Sequence, residues 1–133
     1  MKYRSGYKYQ LAEQYTDKIS IVGHTIITDF IKLDIGGNLI IEKGYAWDGA
    51  SGPTWDDKTN MRGSLVHDAL FQLMRGKKLN QEYYHQANKI LYEDLLEDGM
   101  NRFRAWLYYR GVETKAAEYF SRPENDKKIE VAP

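Results

Sequence analysis

The chain contains no cysteine. That absence excludes disulfide frameworks, Cys-ligated zinc, iron–sulfur clusters and thiol catalysis together, so any metal has to be held by His, Asp, Glu or carbonyl oxygen. Net charge is also lacking. The 19 Lys and Arg balance 19 Asp and Glu, which removes the broad cationic field that general nucleic-acid binders use to attract phosphate. No window approaches about 18 consecutive apolar residues, and Met1-Lys2-Tyr3-Arg4-Ser5-Gly6 has no apolar leader, so neither a membrane span nor a secretion signal is expected. What the chain does have is apolar mass: 42% hydrophobic and 14% aromatic residues, with 11 Tyr and 3 Trp, in 133 residues. That suffices for a core without metal or disulfide staples, and the length suits one domain, expected over 1–120, with a tail from 121.

The first third alternates with a period of two. Tyr7-Lys8-Tyr9-Gln10-Leu11 and Lys18-Ile19-Ser20-Ile21 read as short antiparallel strands with one buried face. Asp34-Ile35-Gly36-Gly37-Asn38 supplies the glycines of a tight hairpin, flanked by strands near 28–34 and 39–43. The second half has helical period. Helices are expected over 61–75, capped by Asn60 and ended at Gly76, from Asn80 to about Glu97 or Asp98 with Gly99 as stop, and over roughly 102–119. Strands first and helices afterwards predict an α+β fold, an antiparallel sheet of about four strands followed by about three helices. Between the halves, Gly44 to Asp57 carries Gly, Pro and the aromatics Tyr45, Trp47 and Trp55, a composition that predicts a long ordered loop of the kind that often holds function.

Polar residues recur where apolar ones belong. Leu65-Val66-His67-Asp68-Ala69-Leu70-Phe71 is apolar almost all round, so His67 and Asp68 need hydrogen bonds, ion partners or a metal. Asn88 falls on the stripe Tyr84, Ala87, Leu91, Leu95 of the second helix and is expected to face inward. In the third helix Phe103, Trp106 and Leu107 are expected to form the inner face. Arg110, three residues on, would then be a buried structural partner for Asp68 or Asp48, or reach the rim on its methylene stem. With Asp48 and Ser51 of the loop, these residues form a constellation that reads either as a polar site or as a hydrogen-bond network specifying the fold.

Named chemistries fit only in part. Gly49-Ala50-Ser51-Gly52-Pro53 lacks the spacing of a serine-hydrolase elbow, though Ser51 with His67 as base and an aspartate as orienter stays open. Adjacent His67-Asp68 on a helix is a dipeptide used by metal-dependent phosphohydrolases, with His24 and Asp94 elsewhere as further possible ligands. The acids and loop aromatics also permit a carbohydrate site or a protein interface.

The block from Gly44 to Arg75 resembles a family of short, uncharacterised phage and prophage proteins defined only as a domain of unknown function. The shared pattern is Gly44-Tyr45, then Asp48-Gly49-Ala50-Ser51-Gly52-Pro53, then His67-Asp68-Ala69-Leu70-Phe71, with Asn88 where the family has an inward aspartate. The resemblance implies a phage or prophage origin, a place in the host cytoplasm or virion, and other phage or host proteins as partners. The expected function is a pocket protein acting in infection or assembly: a metal-assisted hydrolase with Asp48, Ser51, His67 and Asp68 as its working residues. The alternative is a virion component or host-factor binder in which the same residues are structural. The resemblance also implies a divalent-metal site of His67, Asp68 and Asn88, where Asn88 in place of the acid offers a carbonyl oxygen but brings no charge.

Overall fold

The computed structural model describes residues 3–4, 9–49 and 57–121. Strands lead and helices follow, in an α+β fold of antiparallel sheets and three helices. The contacts divide the chain into two compact units, one within Met1–Gly49 and one within Ala50–Val131.

Among the described residues the first unit holds seven short strands: β1 (Tyr3–Arg4), β2 (Tyr9–Leu11), β3 (Tyr15–Lys18), β4 (Ile26–Ile27), β5 (Ile31–Leu33), β6 (Asn38–Ile41) and β7 (Ala46–Trp47). They form a four-stranded sheet in the order β3-β6-β5-β4 and a three-stranded sheet in the order β1-β2-β7, antiparallel throughout. The expected sheet of four strands is the larger one. The second sheet arises because the Leu11 backbone pairs with the far side of the hairpin, its N–H to the Tyr45 carbonyl at 2.8 Å and its carbonyl to the Gly44 N–H at 2.8 Å. The β5–β6 hairpin closes on Asp34, whose Oδ1 accepts from the N–H groups of Gly36 (3.0 Å) and Asn38 (2.9 Å), an Asx turn. Gly37 completes it at φ +88°, where a Cβ would overlap the Ile19 carbonyl oxygen. Ile19 and Ile21 are buried around exposed Ser20, as the alternation predicts, but follow β3 without joining its ladder.

The second unit holds α1 (Met61–Arg75), a 3-10 turn (Gln81–Tyr83), α2 (Tyr84–Glu97) and α3 (Arg102–Ser121). α1 packs on α2 and α2 on α3. Gly63 permits the first contact: a Cβ there would stand 3.0 Å from a Leu91 methyl. Asn80 caps the 3-10 turn, its Oδ1 accepting from the Glu82 N–H at 2.8 Å, and Asn101 caps α3 through the Arg104 N–H at 2.8 Å. The face of α3 differs from expectation. Phe103, Trp106 and Leu107 are 70%, 46% and 49% exposed, whereas Ala105, Tyr108 and Ala116 are buried. Ala105 and Tyr108 join Leu91, Leu95 and Met100 in one cluster. A small alanine and a tyrosine able to hydrogen-bond Asn60 (3.3 Å) turn inward, which rotates the larger apolar side chains outward. No described helix is long and apolar enough to cross a membrane.

Candidate functional site

α1 carries His67, Phe71 and Arg75 at four-residue spacing, one above another on a single face. α3 answers with Val112, Lys115, Ala116 and Tyr119 at spacings of three and four, and together with Asp68, Glu118 and Ser121 these residues line a cavity of about 780 Å³. Its imidazole is held from two sides. His67 Nε2 lies 2.6 Å from Asn88 Oδ1, and the ring stacks on Phe71 with centroids 4.3 Å apart. Asn88 is fully buried, and its other end, Nδ2, donates to Glu113 Oε2 at 2.8 Å. The carboxylate fixes which way the amide points, since only the NH2 end can face it. Oδ1 therefore faces His67, Nε2 carries the ring proton, and Nδ1 keeps a lone pair.

Glu113 anchors the relay. Besides Asn88 it accepts from the Tyr109 hydroxyl at 3.0 Å, and His85 Nδ1 stands 3.0 Å from its Oε1. Burial alone would raise the Glu113 carboxyl; hydrogen bonds from Asn88, His85 and Tyr109 outweigh it and hold the group below its ordinary value. The same carboxylate pushes the Tyr109 phenol up. His67 moves the other way. Most of its ring is enclosed, and burial, with the positive charge of Arg75 adding to it, pushes the imidazole from 6.5 to about 4 against the opposing pull of the Asn88 hydrogen bond. At neutral pH His67 is an uncharged, oriented base.

The structure brings together two of the expected site residues, His67 and Asn88, with Asp68 beside them on the cavity wall. Asp48 is exposed and belongs to the first unit, and Ser51 lies outside the described residues, as do Trp55 and the chain beyond 121. Arg110 is exposed, its guanidinium 5.5 Å over the Trp106 ring. It follows the outward-turned face of α3 and is not a buried partner for an aspartate. As a ligand for a divalent metal Asn88 fits poorly, because His67 and Glu113 already use both ends of its amide. Among the described residues no three His, Cys, Asp or Glu side chains are grouped to hold a metal ion.

Glu113 is the site residue that sequence reasoning misses. Its signal is Tyr109 four residues earlier, a pair that meets on one helix face, but nothing in one helix reveals that the carboxylate meets an amide from another. Two further polar networks were equally hidden: Arg62 on Asp94 (3.1 Å), Glu97 (3.3 Å) and Asp98 (3.0 Å), and Arg104 on Asp57 (2.7 Å). Comparison with protein-family models, with curated proteins and with solved structures finds no match.

Proposed function

We propose that this chain is a small hydrolase of the acid–base type, in which His67 activates water against a substrate seated between α1 and α3. The observation that carries this reading is the 2.6 Å contact of His67 Nε2 with Asn88 Oδ1, backed by Glu113 at 2.8 Å from the same amide. An imidazole held on one side by a buried amide has a fixed tautomer, and its free nitrogen is the proton acceptor that general-base chemistry needs. Nδ1 takes a proton from water, the water oxygen attacks the acyl or phosphoryl centre, and the proton passes to the leaving group as its bond breaks. The resemblance to phage and prophage proteins adds an infection or assembly setting.

A panel of chromogenic carboxylic and phosphoric esters tests the reading. Turnover by the native protein, lost by about 10²-fold or more in a folded His67→Ala variant, is the expected result. An intact native protein that turns over none of the panel counts against it. A second reading, in which the relay only ties three helices together, draws support from the complete burial of Asn88. It predicts that His67→Ala and Asn88→Ala lower stability alike and that neither changes any activity.

A further inference from the structure

The hydrolase reading leaves the substrate open, and two basic residues of the same cavity narrow it. Arg75 ends the stripe that begins at His67. Its Nε–H is buried and has no hydrogen-bond partner among the described residues. An unmatched buried N–H carries a desolvation cost, and a guanidinium offers its donors in a flat fork whose natural complement is a carboxylate or phosphate. Lys115 stands on the opposite wall, on α3, exposed and in no ion pair among the described residues. Asp68 and Glu118 also line the cavity, so its charges balance before anything binds. Phe71 and Tyr119 give the same walls aromatic surface.

We propose, building on the hydrolase reading, that the cavity takes a substrate bearing an oxyanion, a carboxylate or phosphate, which docks on the Arg75 fork and Lys115 and places the rest of the molecule beside His67. The site then couples binding to chemistry. Arg75 is one of the causes that depress the imidazole, so an anion on its guanidinium neutralises that influence and makes His67 a stronger base when substrate is present.

The test is an NMR titration of the full chain with inorganic phosphate and, separately, with benzoate, following the His67 ring and the α1 and α3 amides, with chloride at matched ionic strength as control. Saturable shifts centred on Arg75 and Lys115, with half-saturation near ~1 mM or tighter, are expected for at least one probe. Saturation with phosphate assigns a phosphoryl substrate, and saturation with benzoate a carboxylate. The bound anion should raise the His67 pKa by about half a unit or more. Arg75→Gln should abolish saturation, and Arg75→Lys, which keeps the charge and loses the fork, should weaken it several-fold with the fold intact. Shifts that chloride reproduces, or no saturation with either probe, overturn the proposal. Anion binding without ester turnover supports the substrate class while removing the hydrolase reading; turnover without anion binding does the reverse.

Discussion

Asn88 is fully buried, and its amide meets His67 with the carbonyl end and Glu113 with the NH2 end. Those two contacts give the residue a testable signature. Replacing the amide by a carboxylate, Asn88→Asp, sets a negative charge 2.6 Å from Nε2, and the imidazolium becomes the favoured form. The His67 pKa should rise from about 4 to above its ordinary 6.5, read from ring chemical shifts across a pH series. The Glu113 carboxyl should rise with it, having exchanged a hydrogen-bond donor for a like charge. A His67 that stays near 4 in this variant would show that its Nε2 does not face residue 88. Removing the amide altogether has a different effect. Asn88→Ala leaves the His67 Nε2–H without its partner and takes one of three hydrogen-bond donors from Glu113, which keeps Tyr109 and His85, and should lower the stability of the helical unit by roughly 1–3 kcal/mol, measured by urea unfolding. The inward Asn88 was readable from its place on an apolar stripe; what it touches was not, because both partners come from other helices.

Helix ends show how far local chemistry carries and where it stops. α1 begins and ends at the residues expected, yet neither end closes as expected: Asn60 makes no side-chain cap hydrogen bond, its Oδ1 accepting instead from the Asp57 N–H at 3.1 Å, and Gly76 does not supply the left-handed turn, since Gly76 has φ −80° and Lys77 takes φ +62°. The Lys78 N–H reaches the Leu73 carbonyl at 2.9 Å and the Lys77 N–H the Met74 carbonyl at 3.1 Å, a Schellman closure built on the wrong side chain. Left-handed backbone costs an L-residue about 1–2 kcal/mol, partly matched by the extra freedom glycine loses on folding. Lys77→Gly should therefore stabilise the helical unit by about 0.5–1 kcal/mol in urea unfolding. Gly37→Ala has the opposite sign. It puts a Cβ against the Ile19 carbonyl in a backbone at φ +88°, and should cost about 2 kcal/mol or more, read from amide exchange in β5 and β6. Periodicity and turn chemistry are properties of neighbours in sequence, which is why the hairpin at Asp34 and the three helices were legible. The facing of α3 was not, because Phe103 and Trp106 against Ala105 and Tyr108 is a choice between two adjacent stripes. It is decided by the small contact with α2 and by the Tyr108 hydroxyl reaching Asn60.

At the scale of the whole molecule, zero net charge conceals charges spent in pairs and one base held uncharged, and the pH dependence of stability separates the two. Glu113 and Asp57 lie below their ordinary values in the folded state. For Asp57 the largest cause is the Thr59 hydrogen bond, with Arg104 adding to it. Their contribution is present above the unfolded carboxylate range and is lost as pH falls through the depressed folded values. His67 acts higher on the scale. The unfolded chain takes up its proton below about 6.5, whereas the folded one does so only near 4. Unfolding therefore binds a proton throughout that interval, and stability falls as the solution is acidified. Between pH 7 and pH 4 this group alone should remove roughly 2–3 kcal/mol. His67→Gln keeps a polar side chain beside Asn88 and removes the titration, so its stability should stay level down to about pH 5 and then drop with the carboxylates. Because the chain forms two compact units, the measurement belongs on one of them: urea titrations at a series of pH values, followed through the amide signals of α1, α2 and α3. Equal acid sensitivity in the native and His67→Gln proteins between pH 6.5 and 5 would mean that the imidazole is not enclosed as the cavity geometry requires, and would remove the basis for a neutral, oriented base at this site.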